Sequence, residues 1–265
     1  MVKVLFIGDI CGNAGIKTCK YALGELKNNG YDFDFIIANG ENAAGGLGIT
    51  YALAKDLYQM GIDVITLGNH TWSKREITNF IDDEKRIIRP ANYPSGVPGK
   101  GAVLLEKNGK KIGIINVLGL VYMEPNDSPF TACDRELSEL KKYTKTVVVD
   151  IHAEATSEKC ALAWYLDGRV SSVIGTHTHV QTADERILDC GTGFLSDVGM
   201  TGPYEGVIGM DKEAVLKKFV MHMPERFETA KGKMQFGAVC LEINEENGKC
   251  CKLERIFMNN LEIGK

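Results

Sequence analysis

Short apolar runs alternate with amphipathic stretches along most of this chain. "VKVLFIG" (2–8) is continuously apolar, as expected of a strand buried on both faces. A helix is predicted from about Ala14 to Asn29, with Gly30 as its stop. "FDFIIAN" (33–39) reads as a second strand, and Thr50 caps a helix ending near Met60–Gly61. "DVITLG" (63–68), "KIGIINVLG" (111–119), "KTVVVDIH" (145–152) and "SSVIGTH" (171–177) read as further strands. Helices fill 134–143, 156–167 and 211–222, and residues 234–258 form a hairpin turning at Asn247–Gly248. The pattern predicts an α/β fold, a sheet or pair of sheets covered by helices. No repeat or linker interrupts it, so one domain over 1–265 is the simplest organisation.

Composition narrows the function classes. The net charge of −4 argues against a nucleic-acid coat, and no stable nucleic-acid complex is expected. No apolar run approaches the ~18 residues of a membrane span, and "MVKVLFIGDI" turns polar too soon for a signal peptide. Eight cysteines are scattered without a CxxC, which suggests reduced thiols and a cytoplasmic protein.

The informative residues follow the strands. Asp9 comes after the first, Glu41 and Asn42 after the second, and Asn69 and His70 after the third. His152 follows "VVVDI", and His177 and His179 follow "SSVIGT". Ligands of open α/β sheets gather at such carboxyl ends. Gly8, Gly40, Gly68 and Gly175 precede these groups and allow a sharp turn and close approach. Any one of these residues alone reads as a turn former, a cap or a satisfied histidine, and His222 is left so. The pair His177 and His179 is different. In an extended segment they point to the same side, and two charged imidazoles there would repel unless a metal held both neutral. Seven candidate ligands (Asp9, Glu41, Asn42, Asn69, His152, His177, His179) exceed the needs of one ion. Two ions ~3.5–4 Å apart would use them all and attract a phosphate oxyanion. "GDICGNAG" (8–15) has the spacing GxxxGxxG rather than GxGxxG, and Asp9 would face a pyrophosphate, so a dinucleotide site is set aside.

The ordered series "GD", "GEN", "GNH", a lone histidine and "GTHTH" resembles the calcineurin-like metallophosphoesterases. Within them it is similar to the YmdB family of 2′,3′-cyclic nucleotide phosphodiesterases, through "GENAAGG" (40–46), "TLGNHTW" (66–72), "IHAEATSEK" (151–159), "GTHTHVQTADERIL" (175–188) and "DVGMTGP" (197–203). The chain departs from the wider superfamily in lacking the histidine of DxH, where it has Cys11, and in carrying Glu41 for an aspartate. The resemblance implies a metallophosphoesterase fold, β-sheets sandwiched between helices, with its site at the strand ends. It implies one metal held by Asp9, Asn42 and His179, another by Asn69, His152 and His177, and Glu41 bridging them. It implies in-line attack on a cyclic phosphodiester by a metal-bridging hydroxide, with His70 as general acid. Two metal ions per chain are expected, iron ahead of manganese and zinc, and a homo-oligomer is suggested. Cys11 is read as a small packed group, with a thiolate ligand as the alternative. Residues 120–130 and 197–206 are read as lid, substrate wall or plain surface loop. Competing functions are a broader phosphatase or RNA-end nuclease, and a regulator that binds a nucleotide without turnover.

Overall fold

A computed structural model describes residues 1–263. In chain order the elements are β1 (Val2–Ile7), β2 (Asp9–Ile10), α1 (Gly12–Asn28), β3 (Phe35–Asn39), α2 (Tyr51–Gln59), β4 (Val64–Thr66) and β5 (Ile87–Ile88). Then come β6 (Ala102–Lys107), β7 (Lys110–Leu118), α3 (Pro129–Leu140), β8 (Val147–His152), α4 (Thr156–Leu166), β9 (Ser172–Thr176), β10 (Arg186–Ile187) and β11 (Gly193–Leu195). The last elements are β12 (Met200–Pro203), α5 (Lys212–Met221), β13 (Met234–Ile243) and β14 (Cys250–Leu261).

Two sheets form. One runs β2-β12-β13-β1-β3-β4-β5, with β14 paired to β13; the other runs β10-β11-β9-β8-β7-β6. Alternation of side chains along each strand builds the layers. In β1, Val2, Val4 and Phe6 face the second sheet, where they meet Ile112, Ile114, Val148 and Ile174. Leu5 and Ile7 face the other way, onto Ile16, Cys19 and Leu26 of α1 and Leu57 of α2. On the far side, Val147, Val149 and Ile151 of β8 pack with Leu137 of α3 and Leu162 and Leu166 of α4. Strands buried on both faces are largely apolar, and this is why β1 and β8 stand out in the sequence. The expected sandwich of sheets between helices is what the chain adopts.

The same alternation positions the site. Beyond the apolar part of the inter-sheet layer, the positions in phase with it become polar: Asn39, Thr66, Asn116, Asp150, His152 and Thr176, all buried. β1, β3 and β4 are parallel neighbours, as are β7, β8 and β9, so their carboxyl ends gather at one end of this layer.

Several expected boundaries move. Helix α3 starts at Pro129, not residue 134, because proline suits the first turn. The strand expected over 171–177 stops at Thr176, since His177 is left-handed. The hairpin expected over 234–258 extends to Leu261. The 197–206 stretch is neither lid nor surface loop over most of its length. Its residues 197–203 are buried, and Met200 and Thr201 pair with Asp9 and Ile10. Among the described residues, no helix is long and apolar enough to cross a membrane.

Candidate metal centre

All seven expected ligands converge, in two groups. In the first, the Asn42 side chain lies 3.4 Å from Asp9 Oδ1 and 3.2 Å from His179 Nε2, and His179 Nε2 is 3.8 Å from Asp9 Oδ1. In the second, His152 Nε2 is 3.1 Å from Asn69 Oδ1 and 3.0 Å from His177 Nδ1. Glu41 stands between them, with Oε1 2.9 Å from His152 Nε2 and 3.5 Å from the Asn42 amide. Its Oε2 accepts the backbone N–H of His70 at 2.8 Å. Asn42 turned about its last side-chain bond presents Oδ1 where Nδ2 stands.

The outer nitrogens of the three imidazoles explain what the inner ones do. His179 Nδ1 donates to the Ile208 carbonyl at 2.9 Å, an acceptor only. His152 Nδ1 lies 2.9 Å from Thr176 Oγ1, whose hydroxyl donates to Asp150 Oδ1 at 2.7 Å, so the imidazole N–H is the donor to Thr176. His177 Nε2 faces Glu154 Oε2 at 3.2 Å. Each ring thus has a carbonyl, hydroxyl or carboxylate to take its one N–H on the outside, which leaves its inner nitrogen as a lone pair. Three such lone pairs converge on two buried carboxylates and two carboxamides. Without a cation this set repels itself; with cations it is an ordinary nitrogen–oxygen ligand shell.

The charge states agree. Burial, and next the neighbouring imidazole for His177, lowers the pKa of His152 and His177 from 6.5 to about 4, so both are neutral at ordinary pH. Burial raises Asp9 and Glu41 above the usual carboxylate range, with nearby imidazoles acting the other way. Burial and the adjacent Asp9 push the Cys11 thiol up to about 12. Cys11 is fully buried in its neutral form, which fits the packed reading of that residue.

His177 and His179 reach the site by a route the sequence does not suggest. They are not neighbours on an extended strand. Both are left-handed, at φ 99° and 66°, and they belong to different groups of ligands. For residues with a Cβ this costs of order 1–3 kcal/mol each and needs external support. The glycines before the ligands also act otherwise than expected. None of Gly8, Gly40, Gly68 and Gly175 has a positive φ; each is crowded by protein. A Cβ on Gly68 would lie 2.3 Å from His152 Cδ2 and 2.5 Å from Glu41 Oε2, so the backbone there is part of the wall behind two ligands.

His70 is half-buried at the edge of the cluster, with Nε2 3.5 Å from the Asn69 amide and Nδ1 3.5 Å from Ser73 Oγ. His222 is the left-handed cap ending α5, exposed and apart from the cluster. Missing from the expected set are the outer partners Asp150, Thr176, Glu154 and the Ile208 carbonyl. Asp150 carries a signal, as one acid inside the apolar run "VVVDI"; a main-chain carbonyl carries none. In the 120–130 stretch, residues 120–128 form a surface loop, with Tyr122 90% exposed, before α3 begins at Pro129.

Two packed sheets with imidazole, carboxylate and carboxamide groups at their strand ends define a protein of the metallophosphoesterase class. The family model described as YmdB-like protein matches residues 5–256, and the chain belongs to that family. It is 49% identical over 259 residues to a Bacillus subtilis 2′,3′-cyclic-nucleotide 2′-phosphodiesterase, covering 98% of each chain. Two solved structures superpose closely. A hypothetical protein from Thermus thermophilus gives a TM-score of 0.91 at 41% identity, covering 98% of this chain and 100% of that one. A structure titled as a novel phosphatase from Mycoplasma pneumoniae gives 0.90 at 35% identity, covering 97% and 93%.

Proposed function

We propose that this protein hydrolyses 2′,3′-cyclic nucleotides at the 2′ ester, using two metal ions held by the seven converging residues. The observation that carries the reading is the convergence of three imidazole nitrogens around Asp9 and Glu41, each ring having an outward partner able to take its N–H. Asp9, Asn42 and His179 would hold one ion and Asn69, His152 and His177 the other, with Glu41 shared. The donors are nitrogen and oxygen, and the neutral Cys11 adds no thiolate, which suits iron or manganese ahead of zinc. When bound, such ions supply Lewis acidity to the phosphoryl group and activate water at neutral pH.

The chain's own residues do the rest. Glu41 fixes His70 by accepting its backbone N–H, so the ring is tied to the ligand set without joining it. The ring nitrogens of His70 face Asn69 and Ser73 at 3.5 Å, and the half-buried ring stands at the edge of the cluster, where it would meet a leaving group. Water attacks phosphorus and releases one proton to solvent, the bond from phosphorus to the 2′ oxygen breaks, and His70 delivers its proton to that leaving oxygen and regains one from solvent. The product is a nucleoside 3′-phosphate. Asp150, through Thr176, keeps the His152 proton on the outer nitrogen. One core layer shared by both sheets supports a single catalytic domain.

The test is turnover of 2′,3′-cyclic AMP by manganese- or iron-loaded protein, with the two monophosphate isomers separated. The 3′-phosphate is expected, and His70→Ala is expected to lower kcat by ~10²–10⁴-fold at unchanged metal content. Absence of turnover in the loaded wild type would leave a nucleotide-binding regulator as the better reading.

A further inference from the structure

Two of the stretches that mark the family, "IHAEATSEK" and "DVGMTGP", contribute one ligand between them, His152. The fold brings another residue of each together. Lys159 Nζ, in the first turn of α4, lies 2.8 Å from Asp197 Oδ2, and both side chains are 2% exposed. The same Asp197 oxygen accepts the backbone N–H of Thr178 at 3.0 Å and its hydroxyl at 2.7 Å. Asp197 Oδ1 accepts the N–H of Gly199 at 2.8 Å. Thr178 is the residue between His177 and His179, and both of those are left-handed.

We infer that the buried Lys159–Asp197 pair is a positioning device for the metal centre, clamping Thr178 so that the strained backbone presents His177 to one group of ligands and His179 to the other. Strain of this kind persists where surrounding contacts over-determine it, and Thr178 is gripped through both backbone and side chain. The charge on Lys159 has a purpose in this arrangement. Asp197 accepts four hydrogen bonds in a dry site, from Lys159 Nζ, the Thr178 N–H and hydroxyl, and the Gly199 N–H, and the lysine pairs the buried carboxyl group that grips Thr178. The hydrogen-bonded link from this pair to the expected ligands runs through Thr178. The inference rests on the reading of His177 and His179 as ligands.

The test uses manganese alone as the probe, on protein stripped with a chelator. Replacing one partner would strand a buried charge and risk unfolding. The double substitution Lys159→Met/Asp197→Leu removes both charges at similar volume. It is expected to fold, to bind manganese ~10–100-fold more weakly, as loss of a ligand's support does, and to speed amide hydrogen exchange at residues 177–179 in the metal-free state. Thr178→Val is expected to show the same effects at smaller size, and Thr178→Ser to restore both. Wild-type manganese affinity and wild-type exchange at 177–179 in the double variant would overturn the inference; if that variant does not fold, Thr178→Val decides in the same way. His179→Ala separates the two readings. If it binds manganese as tightly as wild type, the ligand assignment itself fails, whatever the clamp does.

Discussion

At the scale of single residues, the centre is governed by what stands behind each ligand. Gly68 is the most direct case, since a methyl group there would collide with both His152 and Glu41. Gly68→Ala is expected to lower metal affinity by ~10–100-fold, read by titration of stripped protein; wild-type affinity would show that the wall yields. Cys11→Val is expected to leave metal content unchanged, because the thiol is buried and neutral. Asp150 gives a pH dependence. Burial raises its pKa from 3.8 to about 7, against the hydrogen bonds from Thr176 and Asn39. Between those values the folded state holds a proton that the unfolded state has lost. Stability of the metal-free protein from this group is therefore complete below 3.8 and is lost as pH rises toward 7, at about 1.4 kcal/mol per pH unit, then levels off. Asp150→Asn should remove that slope, so urea melts at pH 5 and pH 8 should differ less in the variant than in wild type. An unchanged slope would mean that Asp150 is ionised throughout.

At the scale of elements, the inter-sheet layer carries stability and the strand ends carry chemistry. Phe6, fully buried between the sheets, lies on the apolar part of that layer. Phe6→Ala is expected to cost ~3–5 kcal/mol in a urea melt of metal-free protein, with metal stoichiometry unchanged once folded. Loss of metal in the folded variant would show that layer and site are not separable in this way. The long strands are legible in the sequence because burial on both faces leaves a largely apolar run, broken in β1 only by the exposed Lys3 and in β8 only by Asp150 and His152 at the site end. The short strands β2, β5, β10, β11 and β12 have two to four residues each, too few to display a period. Strand β6 escapes notice for another reason: its side chains are all at least partly exposed, so "AVLLEK" lacks the signal of a buried strand. The proposed ligands are legible as polar residues placed regularly after apolar runs. Their supports are not, because Asp197, Thr178 and the Ile208 carbonyl meet the site only through tertiary contacts.

At the scale of the whole molecule, two bound ions would focus positive charge at one end of a single layer in an acidic chain of net charge −4. One sheet contributes three ligand-bearing strand ends and the other contributes two, so the centre forms only when the sheets pack. Metal binding should accordingly stabilise the folded chain as a unit. The proposal that seven residues hold two ions underlies these expectations of metal binding. It is tested most directly by elemental analysis of protein purified without chelators or a metal-binding tag and then reconstituted with iron or manganese. About two equivalents of metal per chain are expected. One equivalent or less after reconstitution with either metal would contradict it.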